Sequence, residues 1–449
     1  MRICFIPIDN RPVCHSLAKD ICCLDKTIEL FIPPREYLGD LTKSADTEKI
    51  FAWLTTIPSC DVVVLSLDTI AYGGLIPSRR SNETFEEIKS RIFTLKRILK
   101  EMKSKIYAFS SIMRISNNNY NEEEKEYWKD YGTKIFEYSY NFHKNGIADS
   151  FDIPSGILAD YLKTRERNFE INKIYLNWQK EGFFDTLIFS KDDCAEYGLN
   201  VKEAQELESM GGYTKTGADE IPLALLARSV KKVIKVFVEY TEPDCKNIIS
   251  NYEDVSIEQS VKGQLALGGF VEVNDINESD IVLIVNNFRE KQGELVMGWE
   301  TCGKYRGPFV LPNKPFAVAD VRYANGADNE FVEELIPFIQ YEKLGLFLGY
   351  AGWNTSANTL GSLLAGVKVG YNAIDFDNNA FKRLQMIRFL DDWAYQANVR
   401  AQIDTPCDIR KLMKPYAEKL SRVFNYEIDF EKLNYIYPWN RKFEVEIKI

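Results

Sequence analysis

Acidic side chains at predicted strand ends are the residues in this sequence best suited to bond-breaking chemistry. "FSKDDCAEYG" ends a short apolar run with Asp192 and Asp193, and "AVADVRYANGAD" places Asp320 at the end of another. Glu220 lies in "KTGADE", at the start of a predicted helix. Two carboxyl groups across a cleft, one ionised and one kept protonated by burial, can hydrolyse a glycosidic bond by general acid–base catalysis. These four acids are therefore the predicted catalytic residues of a glycoside hydrolase or a related carbohydrate-active hydrolase.

Polar and aromatic side chains at other predicted strand ends suit a substrate rich in hydroxyl groups. Each hydroxyl group needs a hydrogen-bonding partner, and each C–H face of a sugar packs on a flat ring. The predicted substrate-binding residues are Asp9, Arg11, Asp68, Tyr72, Arg114, Asn118, Glu239, Asn286, Tyr350, Trp353, Asn354 and Asn358. Any one of them has a structural alternative, because Asp and Asn after a strand commonly cap the next helix or form a turn.

The segment "YAGWNTSANTLG" joins a predicted strand to a predicted helix. The strand delivers Tyr350 and Trp353 to the site, and Asn354 or Thr355 starts the helix. Asn358 then lies one helical turn after Asn354 on the same face. Trp353 is predicted to be a platform for a sugar ring, and a core tryptophan beside a helix cap is the alternative.

Short apolar, β-branched runs separated by helical stretches are the elements that would position these residues. They fall into two series of five, at 3–9, 28–34, 61–68, 105–112 and 185–193, and at 233–242, 269–275, 280–287, 315–321 and 344–352. Such runs are typical of parallel strands covered by helices on both faces. The sequence therefore predicts an α/β fold of tandem doubly wound, mostly parallel sheets with a cleft between them. Ligands of such sheets bind at the carboxyl ends of the strands.

A (β/α)₈-type barrel with extra strands is the alternative fold, since barrel loops also carry polar residues at strand ends. The direct step from 269–275 to 280–287 leaves no room for a helix and fits a barrel poorly. The predicted domains are a first α/β unit at 1–232 with a helical excursion at 121–181, a second α/β unit at 233–370, and a C-terminal helix and tail at 371–449 packed on the body.

Composition narrows the classes of function and partner. Among 449 residues, 45% are hydrophobic, which predicts a globular protein with an ample core. The formal net charge of -10 argues against a nucleic-acid binder. The nine cysteines form no CxxC pair and no apolar stretch approaches a membrane span, so we expect a cytoplasmic protein without membrane or nucleic-acid partners. The expected partner is a small carbohydrate, and an oligomer remains open.

Several other chemistries have little support in the sequence. His15 and His143 are the two histidines, which argues against a Ser-His-acid triad and against a zinc site built from histidines. No G-x-G-x-x-G motif is present, and no cofactor is predicted. A Mg²⁺ or Ca²⁺ site made of carboxylates stays open. Two alternatives to the glycosidase therefore remain: a carboxylate- or Mg²⁺-dependent isomerase or hydrolase of a small polar metabolite, and a non-catalytic sugar-binding protein.

Eight strings spread along the chain carry a family resemblance. They are "PIDNRPVC", "PPREYLGDL", "SLDTIAYGGLIPSR", "KDD", "TGADE", "ADVRYANGAD", "YAGWNTSANTLG" and "YPWNRKFEVEI". In this order they resemble a bacterial family filed as domain of unknown function four-one-two-seven. The resemblance implies no activity. It does imply that these strings form one site and are not a set of unrelated helix caps.

Overall fold

The chain folds into two compact units. The computed structural model describes residues 1–150, 152–192, 194–303, 312–339, 344–403 and 409–449. The first unit comprises residues 1–15, 29–225 and 252–254, and the second comprises 16–28, 226–251 and 255–449.

A six-stranded parallel sheet forms the centre of the first unit. Its strands are β1 Arg2–Ile6, β2 Glu29–Phe31, β3 Val62–Ser66, β4 Lys105–Ile112, β5 Thr186–Lys191 and β6 Thr214–Thr216. Their order in the sheet is β2-β1-β3-β4-β5-β6, and every neighbouring pair is parallel. All five residues of β3 are buried. Both faces of the sheet are therefore covered at this strand, as the continuous apolar run predicts.

A five-stranded parallel sheet forms the centre of the second unit, with two small ribbons beside it. The strands are β7 Ile234–Tyr240, β8 Phe270–Glu272, β9 Ile281–Asn286, β10 Gly293–Glu294, β11 Phe316–Asp320, β12 Tyr323–Ala324, β13 Phe347–Ala351, β14 Asn434–Ile436 and β15 Glu446–Lys448. The main sheet has the order β13-β11-β9-β7-β8. β10 pairs with β12, and β14 pairs with β15.

Helices connect most of the strands and cover the sheets. They are α1 Ser16–Cys22, α2 Thr47–Thr56, α3 Leu67–Ala71, α4 Leu75–Arg80, α5 Phe85–Met102, α6 Trp128–Asn145, α7 Ser155–Lys180, α8 Leu199–Ser209, α9 Ile221–Ser229, α10 Ile257–Gly268, α11 Asn329–Phe338, α12 Ser356–Tyr371, α13 Asn378–Arg388 and α14 Ile409–Phe424. No described helix is both long and apolar enough to cross a membrane.

Alternate residues of β9 show that the second sheet is covered on both faces. Val282 and Ile284 pack in one core cluster with residues of α11 and α14. Leu283 and Val285 pack in another cluster with residues of α10 and α12. Successive side chains of a strand point to opposite faces, so the apolar run supplies both cores.

The two sheets share one strand order. Numbered within its own unit, each sheet runs 2-1-3-4-5, and the first unit adds β6 as a sixth strand. This is a doubly wound arrangement. The prediction of tandem, mostly parallel doubly wound sheets is confirmed, and the described strands form no closed barrel.

Some elements differ from the sequence-based expectation. β6 was not predicted, because "TKT" is too short and polar to show a strand pattern. The helix expected in the C-terminal segment 371–449 is α13 followed by a π-helical segment, Phe389–Val399. Residues 371–449 lie within the second unit, together with residues 16–28, whose helix α1 packs against α12 and α13.

Candidate functional site

The shared strand order predicts a crevice at the same place in each sheet. In a parallel sheet of order 2-1-3-4-5, ligands bind at the carboxyl ends of the two strands where the order reverses. These strands are β1 and β3 in the first unit, and β7 and β9 in the second. The polar side chains that follow them decide which crevice can receive a ligand.

In the second unit, hydrogen bonds close the crevice between β7 and β9. The Asn287 side chain accepts from the backbone N–H of Glu242 and donates to its carbonyl oxygen, both at 2.8 Å. The Thr241 hydroxyl group donates to Asn286 Oδ1 at 3.1 Å. These bonds join the ends of β7 and β9. The side-chain amides of Asn286 and Asn287 therefore stabilise the ends of these two strands.

In the first unit, the crevice holds a buried, hydrogen-bonded triad of Asp9, Arg11 and Asp219, centred on Arg11. Arg11 donates to Asp9 from its backbone N–H and from its Nε, both at 2.9 Å. Its Nη2 donates to Asp219 Oδ1 at 2.6 Å. Asp219 follows β6, which is not a neighbour of β1 in the sheet. Charged groups from distant strand ends therefore meet at the carboxyl edge of this sheet.

Asp9, Cys14 and Asp219 are the one group of described residues whose atoms could jointly hold a metal ion. Their ligand atoms all lie within 4.8 Å of one another, and Cys14 Sγ is 3.6 Å from Asp219 Oδ1. The guanidinium group of Arg11 bonds both carboxylates. It supplies the positive charge that a metal ion would bring, so we assign no metal to this cluster.

Asp192 follows β5 and is held by two arginines. Arg79 Nη2 donates to Asp192 Oδ2 at 2.9 Å, and Arg114 Nη1 lies 3.6 Å from the same oxygen. Glu124 lies 3.4 Å from Arg79 Nη1, and Glu123 lies 2.7 Å from Arg114 Nη2. The Asp192 side chain remains 18% exposed. A paired carboxylate at a strand end thus keeps access to solvent.

Asp219 lies in a different environment from Asp192. Burial raises the pKa of Asp219; Arg11 opposes this effect, and the negative charges of Asp9 and Asp192 add to it. Asp192 and Asp219 follow the neighbouring strands β5 and β6. Asp193, a predicted catalytic residue, lies outside the described residues.

Asp68 follows β3, at the other side of the first-unit crevice. It is fully buried, and its Oδ2 accepts from the backbone N–H of Ser111 at 2.8 Å. Its Oδ1 has no hydrogen-bond partner among the described residues. Burial raises the pKa of Asp68 to about 7, although the Ser111 amide and the charge of Arg79 act in the opposite direction. Asp68 and Asp219 are thus two buried carboxyl groups of this unit with raised pKa values.

Three further predicted residues of the first unit have clear structural contacts. The ring of Tyr72 is buried and covered by the Arg167 guanidinium group, 5.5 Å from the ring centroid. Asn118 Oδ1 accepts from the backbone N–H of Tyr120 at 3.0 Å, which makes a turn. Glu220 is buried just before α9, which begins at Ile221. Asp219 and Glu220 therefore precede the helix, whereas the sequence predicts both in its first turn.

In the second unit, Asp320 joins the ends of three strands. Its Oδ1 accepts from Asn286 (2.9 Å), and its Oδ2 accepts from the Tyr350 hydroxyl group (3.0 Å) and the Asp328 backbone N–H (2.8 Å). Burial, followed by the charge of Asp328, raises the pKa of Asp320 to about 8. Both oxygens are bonded and the residue is fully buried. We therefore leave Asp320 out of the proposed catalytic group.

Tyr350→Phe is expected to lower the free energy of unfolding by about 0.5–1.5 kcal/mol. The variant loses the hydroxyl bond to Asp320, while Asp328 still donates to the same oxygen. The ring keeps its stack on Phe389, with centroids 4.3 Å apart. Urea denaturation of both proteins measures the difference. A variant as stable as the wild type would show that this hydrogen bond contributes nothing to folding.

Trp353 is a core residue in this structure. It is 3% exposed, and its ring packs against Phe443 with centroids 5.9 Å apart. Thr359 Oγ1 donates to the Trp353 carbonyl oxygen at 2.9 Å, and the indole Nε1 has no partner among the described residues. This position favours the core alternative over the sugar platform.

The remaining predicted residues of the second unit shape the start of α12 or lie on β7. Asn354 adopts a left-handed conformation with φ 68°, and its Oδ1 accepts from the Thr355 backbone N–H. Thr355 then caps α12 by accepting from the backbone N–H of Asn358 at 3.2 Å. Asn358 is buried. Glu239 lies at an exposed position of β7.

Residues 3–448 match the family described as Protein of unknown function (DUF4127). The chain belongs to this family. The match includes both units and all eight strings that carry the resemblance, which is thereby confirmed. No curated protein matches the sequence. The family description specifies no activity, so the function must be argued from the site.

Sequence analysis missed three charged residues of the first-unit site, which are Arg79, Glu123 and Glu124. A fourth, Asp219, was predicted in the first turn of a helix, where the helix dipole explains an acid equally well, and was left out of the predicted site. Arg79 ends "SLDTIAYGGLIPSR" and Asp219 stands in "TGADE", so the shared strings contained the signal for both. Glu123 and Glu124 lie in "NEEEKEY", where a run of acids gives no indication of which one faces an arginine.

Proposed function

We propose that the protein is a glycoside hydrolase whose acid–base site lies at the carboxyl edge of the first sheet. One observation carries the proposal. Asp192 is partly exposed and held by two arginines, whereas Asp219 is buried with a raised pKa, and the two follow neighbouring strands of one sheet. A buried carboxyl group that keeps its proton, together with an accessible carboxylate, is what the hydrolysis of a glycosidic bond requires.

The two acids have separate roles in this proposal. Asp219 gives its proton to the oxygen of the leaving group as the glycosidic bond breaks. Asp192 takes a proton from the water that attacks the anomeric carbon, or attacks that carbon itself in a retaining mechanism. Arg79 and Arg114 hold the Asp192 carboxylate in place for either role.

A carbohydrate is the substrate class that best suits this edge of the sheet. The carboxyl edge of the first sheet carries guanidinium donors next to carboxylate acceptors. Arg11 bonds Asp9, and Arg114 lies beside Asp192. A hydroxyl group both donates and accepts hydrogen bonds, so a small polyhydroxylated molecule can use both kinds of partner. The described cysteines are free thiols, which supports our extension of the proposal to a reducing, cytoplasmic setting.

The wild-type protein is expected to hydrolyse at least one member of a panel of chromogenic glycosides, with a rate that EDTA does not change. Arg11 already bonds the two carboxyl groups that could hold a metal ion, which is the reason for expecting no effect of the chelator. Release of the chromophore measures turnover. Loss of turnover with EDTA would favour the metal-dependent alternative, and binding of sugars without any turnover would favour a sugar-binding protein.

A further inference from the structure

Asp9 and Asp219 share the side chain of Arg11 unequally. Asp9 accepts from the backbone N–H and from the Nε of Arg11, both at 2.9 Å, and Arg11 Nη2 lies 2.7 Å from Asp9 Oδ2. Asp219 accepts from Nη2, at 2.6 Å. Both side-chain nitrogens that bond these acids are therefore turned to Asp9, and one of them also reaches Asp219.

The two carboxyl groups are close enough to compete for this cation. Their nearest oxygens lie within 4.8 Å of each other, and one guanidinium group brings one positive charge. When two carboxyl groups share a site, one of them holds its proton more tightly. Hydrogen-bond donors favour the charged form of such a group, so the group with fewer donors is the better place for the proton. That group is Asp219.

The surroundings of Asp219 agree with this assignment. Its side chain is 9% exposed. Burial raises the pKa of Asp219; Arg11 opposes this effect, and the negative charges of Asp9 and Asp192 add to it. The remaining group in contact is the thiol of Cys14, whose Sγ is 3.6 Å from Asp219 Oδ1. Asp219 thus has one cation beside it, and that cation also bonds Asp9.

The contacts also indicate which oxygen of Asp219 carries the proton. Arg11 Nη2 and Cys14 Sγ both contact Oδ1. Glu220 follows Asp219 in the chain, and its carboxyl group fills the space beside Gly217. The proton is therefore placed on Oδ2, the oxygen that Arg11 and Cys14 leave uncovered.

We propose that Asp9 is a positioning residue for the reaction: it draws the guanidinium group of Arg11 to itself, so that Asp219 keeps the proton that the leaving group receives. The inference rests on the proposed function of Asp219 as general acid. The proton passes from Asp219 Oδ2 to the oxygen of the leaving group, which keeps the electron pair of the broken C–O bond. Arg11 Nη2, already 2.6 Å from Oδ1, then stabilises the new Asp219 carboxylate.

Asp9→Asn is the test variant. The C=O band of the protonated Asp219 carboxyl group is followed by infrared spectroscopy over a pH series and is assigned by its loss in Asp219→Asn. The amide oxygen at position 9 can still accept from the backbone N–H of Arg11, but the side chain has no charge to hold the guanidinium group. Arg11 is then left to Asp219, and the band should disappear at a lower pH than in the wild type.

Arg11→Gln should move the same band in the opposite direction. Without the cation, Asp219 loses the group that favours its charged form, so the band should persist to a higher pH than in the wild type. Glu29→Gln is the matched control: Glu29 accepts from Arg2 Nε at 2.9 Å, at the start of β1 and β2 and not at their carboxyl ends. The control should leave the band of Asp219 unchanged.

Kinetics provide a second readout. Asp9→Asn is expected to lower kcat/KM by about 10²-fold on a glycoside whose leaving group departs only with a proton, because general acids typically contribute 10²–10⁴. A glycoside with a strongly acidic phenol as leaving group needs little help from an acid, so its kcat/KM should change far less. The loss of kcat/KM at alkaline pH should begin at a lower pH in Asp9→Asn and at a higher pH in Arg11→Gln.

The outcomes separate the two proposals. A band of Asp219 that disappears at the same pH in the wild type and in Asp9→Asn overturns the role of Asp9, and so does a wild type without this band. If the band shifts as expected but no glycoside is hydrolysed, the proposed function fails and the control of Asp219 by Asp9 stands. Should Asp9→Asn not fold, Arg11→Gln decides: its band must persist to a higher pH than that of the wild type.

Discussion

Asp192→Asn is expected to lower kcat/KM on a hydrolysed glycoside by at least ~10², because general acid–base groups typically contribute 10²–10⁴. Asparagine keeps the shape of the side chain but can neither take a proton nor attack a carbon atom. Glu123 and Glu124 still balance Arg79 and Arg114 in the variant, so the melting temperature should change little. Steady-state kinetics and thermal unfolding of the same preparations measure both quantities.

Asp149→Asn is the control for this experiment. Asp149 is an exposed acid of the same unit, and its replacement should leave turnover and melting temperature unchanged. A folded Asp192→Asn variant with full activity would contradict the assignment. The proposed base would then have to be Asp193, its neighbour in the sequence. A variant that fails to fold would instead make Asp192 a structural partner of the two arginines.

Trp353→Ala is expected to destabilise the protein by about 3–5 kcal/mol, as the truncation of buried aromatic residues does. The ring is almost fully buried and packs on Phe443, so its removal leaves a cavity. Thermal and chemical unfolding, each with and without candidate sugars, measure the loss. The response to a sugar should be the same in both proteins, because a covered ring offers no surface to a ligand.

Trp299→Ala is the matched control in the same unit. Trp299 is 41% exposed, and surface substitutions usually change stability by less than about 0.5 kcal/mol. A Trp353→Ala variant that stays as stable as the wild type but loses its response to a sugar would contradict the core assignment. That result would restore Trp353 as a platform for the substrate.

The strands of the two sheets were the most predictable part of this protein. β3 and β9 read as continuous apolar runs, and both are buried along their whole length. β6 was not predicted because its three residues are polar and show no strand pattern. It is a strand because its backbone pairs with that of β5. The cap of α12 was partly predictable: the sequence offered Asn354 or Thr355, and the hydrogen bond to Asn358 selects Thr355.

The candidate site was less predictable, since its contacts join distant parts of the chain. Arg11 and Asp219 are 208 positions apart, and Arg79 and Asp192 are 113 apart. A polar residue at a strand end reveals neither its partner nor its exposure. Tyr350 and Trp353 look like ligand-binding rings in the sequence, yet both are buried against phenylalanines.

The sequence by itself determined the α/β class, because apolar runs of strand length joined by helices can be buried only in sheets covered on both faces. It also determined which polar residues follow those strands. The tertiary structure decided the rest. The strand order brings Asp192 and Asp219 to the same edge of the first sheet. In the second sheet, the hydrogen bonds of Asn287 close the corresponding crevice. Burial, which no local pattern encodes, raises the proton affinity of Asp68 and Asp219, because a charge is costly to remove from water.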